Sequence, residues 1–175
     1  MYSEKILELF KNPINAGGLQ GANGVGKFID NACGDNIKIY LKIDESGIIT
    51  EARFKALGSV GIIVACSAIC SCLLDCTIDE AKDIKQNRIQ EITGVFPKDK
   101  LYCLEYAIKT VSLAIDDYYD KLKKNFKKAE KKPLTPENKI ITEAKHEVKT
   151  PETNNIVLER RTVSAAKAAF DALFE

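Results

Sequence analysis

Apolar residues recur at two different periods along the first 123 positions, and each change of period marks an element. Ile6, Leu7, Leu9 and Phe10 follow Ser3, a residue type that caps helices, and Asn12-Pro13 ends the run. That spacing predicts a short first helix. From there to about Asp35 the chain is rich in Gly and Asn and reads as a loop. Ile37, Ile39, Leu41 and Ile43 then alternate with Lys38, Tyr40 and Lys42, the pattern of a strand with one buried face. Asp44-Glu45-Ser46-Gly47 supplies a turn, and Ala52, Phe54 and Ala56 alternate with Arg53 and Lys55 in a returning strand.

Beyond Gly58 to Gly61 the period becomes helical. An apolar segment running to about Asp75 reads as one helix, and Thr77 with Glu80 has capping-box spacing for a second. Asn87 and Gln90 suggest a third, ended by Gly94. Pro97 is expected in the first turn of a last helix, whose stripe is Leu101, Leu104, Ile108, Val111, Ile115 and Leu122. The pattern is that of an α+β domain, a small antiparallel sheet with helices packed on it.

Composition then redraws the boundary near residue 123. Lys123 to Thr153 carries six lysines before Pro133, then Pro136 and Pro151, and almost no aromatic residue. Too little apolar surface is present to offset the entropy of ordering, so residues 124–161 are expected to form a disordered linker. Val163, Ala166, Phe170, Leu173 and Phe174 return to one stripe, and 162–175 is expected to be an amphipathic helix that docks on a surface. The domain itself is 1–123.

Charge excludes some partners. With 26 basic and 25 acidic residues the net charge is +1, no basis for nucleic acid or a membrane as the main partner. The longest apolar run, Ile62 to Cys70, is interrupted by Ser67 and is too short to span a bilayer. Met1 to Lys5 lacks the apolar core of a secretory signal, which makes a cytoplasmic protein the default. In such a compartment Cys33, Cys66, Cys70, Cys72, Cys76 and Cys103 read as small buried residues, metal ligands or reactive thiols before disulfides.

Two apparent motifs fail on context. Gly21 to Lys27 imitates a phosphate-binding loop, but Phe28 stands where Ser or Thr is needed and no apolar strand precedes it. His146, the single histidine, lies among charged residues of the expected linker and supports no hydrolase chemistry.

Cys33-Gly34-Asp35 before the first long strand, and Cys103 near the start of the last helix, carry more. Gly34 permits an unusual bend beside a thiol, and Asp35 supplies a hard oxygen two residues on. The helix dipole and Lys100, one turn earlier, are expected to favour the Cys103 thiolate and make it the most reactive thiol. A soft-metal or persulfide site and two unrelated cysteines are both open on these residues alone.

Tyr2-Ser3-Glu4-Lys5-Ile6, Asn12 to Gly17, Ala22 to Gly26, Cys33 to Leu41, Phe54 to Gly58 and Lys100 to Cys103 together resemble NifU/IscU-type scaffolds, in one order from residue 2 to about 122. The resemblance implies a metal site near one tip of the domain. It implies a pyridoxal-phosphate cysteine desulfurase that delivers sulfur as a persulfide. It also implies iron, a transient [2Fe–2S] cluster, apo iron–sulfur proteins as recipients, and no enzymatic turnover. Carried over by position, Cys33, Asp35 and Cys103 are the ligands, Lys100 lies beside them, and Cys103 is the persulfide acceptor.

The chain also departs from that pattern. Ser59 stands where the family has its second cysteine, and Tyr102 replaces the histidine before the third. Cys66 with Cys70, and Cys72 with Cys76, sit one turn apart and can share a metal, although small buried residues are the favoured reading. Phe96-Pro97-Lys98-Asp99-Lys100 keeps one proline and the final lysine of the segment read by a DnaK-type chaperone, a weak basis for that partner. Three functions stay open: a cluster scaffold, a degenerate relative that binds or regulates the desulfurase without building clusters, and a zinc protein. A homo-oligomer is compatible with each.

Overall fold

A computed structural model describes residues 1–130, with side chains through 127. The first helix, α1 (Glu4–Lys11), starts where Ser3 Oγ accepts the Ile6 amide and buries Ile6 completely. A strand follows that the polar pattern concealed: β1 (Gly24–Asp30) occupies part of the expected loop. It pairs antiparallel with β2 (Asp35–Ile43), which pairs antiparallel with β3 (Ile49–Leu57), in the order β1-β2-β3. Ile37, Ile39, Leu41 and Ile43 face the core as their alternation predicts.

Glycine explains why β1 was hidden. Its inward positions, Gly24 and Gly26, are pressed against the backbone of α5 (Tyr102–Glu130), and a Cβ at Gly26 would stand 2.7 Å from the Ala114 nitrogen. Residues that a phosphate loop would use to approach a ligand here let a helix approach a strand. No period of apolar side chains can mark a face lined by glycine.

The helix α2 (Val60–Cys72) is apolar on all sides, and such a helix must be buried all round. It contacts β2, β3, α1, α4 and α5. It ends at Cys72, short of Asp75, which takes a left-handed turn at φ 62°. The capping box forms as read: Thr77 accepts the Glu80 amide and Glu80 accepts the Thr77 amide, opening α3 (Ile78–Lys82). Then α4 (Gln86–Thr93) ends at Gly94.

Pro97 is not in the first turn of the last helix. With ψ 142° it stands outside helical geometry and precedes a short 3-10 turn, Lys98–Lys100, and α5 begins only at Tyr102. Cys103 is therefore the second residue of α5. That helix continues to Glu130, past the boundary expected at 123. The rest of the expected linker, the 162–175 helix and His146 lie outside the described residues. Among those described, no helix is long and apolar enough to cross a membrane.

Candidate functional site

The β1–β2 hairpin presents the first candidate cysteine. Gly34 (φ 75°) closes the turn by donating to the Asp30 carbonyl at 2.8 Å, and Cys33 stands exposed at the tip. The Asp30 carboxylate accepts the Ala32 amide at 2.9 Å and the Tyr106 hydroxyl at 2.8 Å, and these bonds hold its carboxyl below the usual range. Tyr106 belongs to α5 and its ring packs on Phe28 with centroids 4.5 Å apart. The hairpin carrying Cys33 is thus tied to the helix carrying Cys103.

Asp35 is only 2% exposed. Its Oδ1 accepts the Ser59 amide at 3.1 Å, while its Oδ2 is buried with no hydrogen-bond partner. Gly58 makes this position available, because a Cβ there would overlap the Asp35 carboxylate. Ser59 caps α2, and its Oγ lies 3.9 Å from Cys103 Sγ. Tyr102 flanks the same pair, its phenol pushed up to about 12 by burial and by the neighbouring thiol. Tyr2 closes the other side: its hydroxyl is buried, beside Gly61 and Cys103, and has no partner.

Asp35, Ser59, Tyr102 and Cys103 therefore converge. Cys33 stands exposed at the surface, where desolvation and the Asp30 and Asp35 carboxylates push its thiol up and Lys100 works against them. Among the described residues no three His, Cys, Asp or Glu side chains are arranged to hold a metal ion. Lys100 points partly toward Asp99, 3.6 Å away, with its amine 5.9 Å from the Tyr102 ring centroid.

The expectation that Cys103 is the most reactive thiol is corrected. Cys103 is fully buried, and burial raises its thiol despite lowering contributions from Ser59, Tyr102 and Lys100. Desolvating a thiolate costs more than a helix end and a nearby lysine return. Cys66 and Cys70 are buried completely and raised further, and Cys72 is nearly buried, as expected of small core residues, whereas Cys76 is only partly buried. Cys66 nevertheless lies within electrostatic range of Cys103 and Asp35. Limited alkylation followed by peptide mass spectrometry should label Cys33 first and Cys76 second, Cys103 only slowly as its site opens, and Cys66 and Cys70 only on unfolding. Early labelling of Cys103 would contradict its burial.

Sequence reasoning missed Asp30 because its strand β1 was hidden, and with it the partner of Asp30 on α5, Tyr106. It also passed over Tyr2, whose place at the head of the opening motif was the available signal.

Fold and site together define an α+β domain with a cysteine–aspartate pocket, and the chain belongs to the family described as the NifU-like N terminal domain, which matches residues 1–125. The iron–sulfur cluster assembly scaffold protein IscU of Escherichia coli K12 is 34% identical over 123 residues, covering 69% of this chain and 95% of that protein. The scaffold protein IscU 1 of Archaeoglobus fulgidus is 34% identical over 121 residues, 69% of this chain and 78% of that protein. The nitrogen fixation protein NifU of Azotobacter chroococcum is 33% identical over 118 residues, but the chain spans only 38% of its length. A solved structure from Fervidobacterium islandicum, described as a scaffold protein for the SUF system, has a TM-score of 0.54 at 21% identity. It covers 65% of this chain and 95% of its own, and shows the shared fold.

Proposed function

We propose that the chain is a scaffold for iron–sulfur cluster assembly, with iron and sulfur as its cargo. The observation that carries this reading is a buried carboxylate, Asp35, with one oxygen unsatisfied and the other bonded to the amide of Ser59, whose hydroxyl lies beside the Cys103 thiol. An unpaired buried carboxylate oxygen is costly, and a cation beside it would relieve that cost. Relatives named as cluster scaffolds, matched along nearly the whole described domain, point the same way.

In this reading a cysteine desulfurase presents a persulfide. The Cys103 thiolate attacks its outer sulfur, a new S–S bond forms as the donor bond breaks, and the donor leaves as a thiolate. Iron is held by Cys33, Asp35 and Cys103, and a transient [2Fe–2S] cluster passes to an apo iron–sulfur protein. Cys33 must move in from the hairpin tip as iron binds. Zinc can take the same ligands in purified protein.

Ser59 is the weak point, since a serine hydroxyl is a poor ligand for these metals near neutral pH. It favours the second reading, a desulfurase-binding relative that builds no cluster. Anaerobic ferrous iron titration separates the two. Cys33→Ala should abolish most of the bound iron, and Ser59→Cys should tighten binding by about tenfold, as one added coordinating group of ~1.4 kcal/mol would do. Unchanged stoichiometry in Cys33→Ala would remove this site from consideration and leave the binding-module reading.

A further inference from the structure

Among the described residues, two buried side-chain polar atoms lack a hydrogen-bond partner, Asp35 Oδ2 and the Tyr2 hydroxyl, and both border the Cys103 pocket. The first is an acceptor, which iron would satisfy. The second carries a donor hydrogen, which iron would not satisfy. A buried hydroxyl left unpaired needs an explanation of its own.

Tyr2 is held in place. Its ring packs edge-on against Phe96, with centroids 6.3 Å apart and planes at 81°, and Phe96 is itself buried. The Tyr2 hydroxyl and Cys103 Sγ lie 2.7 and 2.8 Å from one point, the position a Cβ on Gly61 would take. Both atoms crowd that glycine. A neutral thiol is a weak acceptor and leaves the phenol unsatisfied.

We propose that the hydroxyls of Tyr2, Ser59 and Tyr102 form a cradle that hydrogen-bonds the outer sulfur of a persulfide on Cys103. This rests on the reading of Cys103 as the sulfur acceptor and deepens it. A persulfide places its outer sulfur about 2 Å beyond Sγ, among the hydroxyls that surround the thiol. Ser59 Oγ, at 3.9 Å from Sγ, is at the limit for a bond to the thiol and moves within reach of a sulfur one bond further out. Tyr102 flanks both groups. Three hydroxyl donors match an anionic sulfur and are poor iron ligands. The Asp35 carboxylate carries the same sign of charge as the anionic sulfur, and the donors offset its repulsion. The positions where the family pattern has a cysteine and a histidine thus carry hydroxyls suited to holding sulfur before iron arrives. Because Cys103 is buried, loading requires the site to open to the donor.

The loading step is the exchange already written: one S–S bond forms, one breaks, and the donor leaves as its thiolate, with no external oxidant. The test uses the full chain and glutathione persulfide under anaerobic conditions. A one-sulfur mass gain on the Cys103 peptide is followed during a chase with glutathione. Wild type should load and hold the sulfur. Tyr2→Phe, which keeps the ring, should load equally and lose sulfur about tenfold faster, the usual consequence of removing one hydrogen bond to a charged group. Its melting temperature should be unchanged or higher, because an unsatisfied buried hydroxyl has gone. Ser59→Ala should act in the same direction, and the double variant should be faster still. Equal retention in Tyr2→Phe, Ser59→Ala and wild type would overturn the cradle while leaving Cys103 as an acceptor. Failure of wild type to gain sulfur at Cys103 would overturn both.

Discussion

Alanine at Gly26 should lower the stability of the domain by about 3 kcal/mol, at the upper end of the overpacking range, and its melting temperature by roughly 10 °C. The cause is local and rigid. A Cβ at Gly26 would overlap the Thr110 carbonyl, approach the Ala114 nitrogen to 2.7 Å and meet the Ala114 side chain at 3.1 Å. Backbone atoms inside a helix cannot rotate away as the end of a lysine can, so β1 and α5 must separate. Gly24 is similar, with the Ala114 carbonyl at 2.7 Å. Separation would also loosen the Val25 amide from Asp117, a bond of 2.8 Å that ties strand to helix. Gly21→Ala is the control: no atom lies within 4 Å and only its φ of 76° opposes the substitution, a cost of about 1 kcal/mol. Thermal unfolding by circular dichroism measures all three. A Gly26→Ala protein melting within a few degrees of wild type would mean that β1 and α5 are not packed as described.

Alanine at Gly58 should disable the site more than the fold. The new Cβ would displace the Asp35 carboxylate, whose Cγ lies 3.0 Å from that position, and break its bond to the Ser59 amide. Loss of a hydrogen bond to a charged group costs roughly 1.5–3 kcal/mol. Asp35→Ala should behave differently, because it removes a buried, half-satisfied carboxylate outright. Its stability should be close to wild type or above it, while iron retention falls as far as in Gly58→Ala. The double variant Gly58→Ala/Asp35→Ala should then recover much of the stability that Gly58→Ala loses. Iron content after anaerobic loading and gel filtration, read beside the melting temperature, separates these outcomes. A Gly58→Ala protein with full iron retention would show that Asp35 is not a ligand.

Most of the architecture was legible because its signals are periodic. The alternation of Ile37 to Ile43, the cap at Ser3 and the Thr77–Glu80 box each produced the element they predict. β1 was not legible, because the residues at its core face are glycines chosen for close approach rather than for burial. The start of α5 was misplaced by treating Pro97 as helical, when its ψ of 142° sets a 3-10 turn before the helix. The pocket was legible in composition but not in electrostatics. Cys33, Asp35 and Cys103 could be named from the chain, yet whether burial or the helix end governs Cys103 depends on packing around Ser59, Gly61 and Tyr2. Cys33 at an exposed tip, and Tyr2 as a wall of the pocket, are consequences of folding that no local pattern encodes.

The scaffold assignment is tested most directly by cluster assembly itself. The full-length chain would be incubated anaerobically with ferrous iron, L-cysteine and a cysteine desulfurase, then separated and examined by visible absorption and by iron and sulfide analysis. The account predicts charge-transfer absorption of a [2Fe–2S] cluster, with iron and sulfide in equal amounts, absent from Cys33→Ala and Cys103→Ala. A wild-type spectrum no different from that of those two variants, with no sulfide retained, would contradict it.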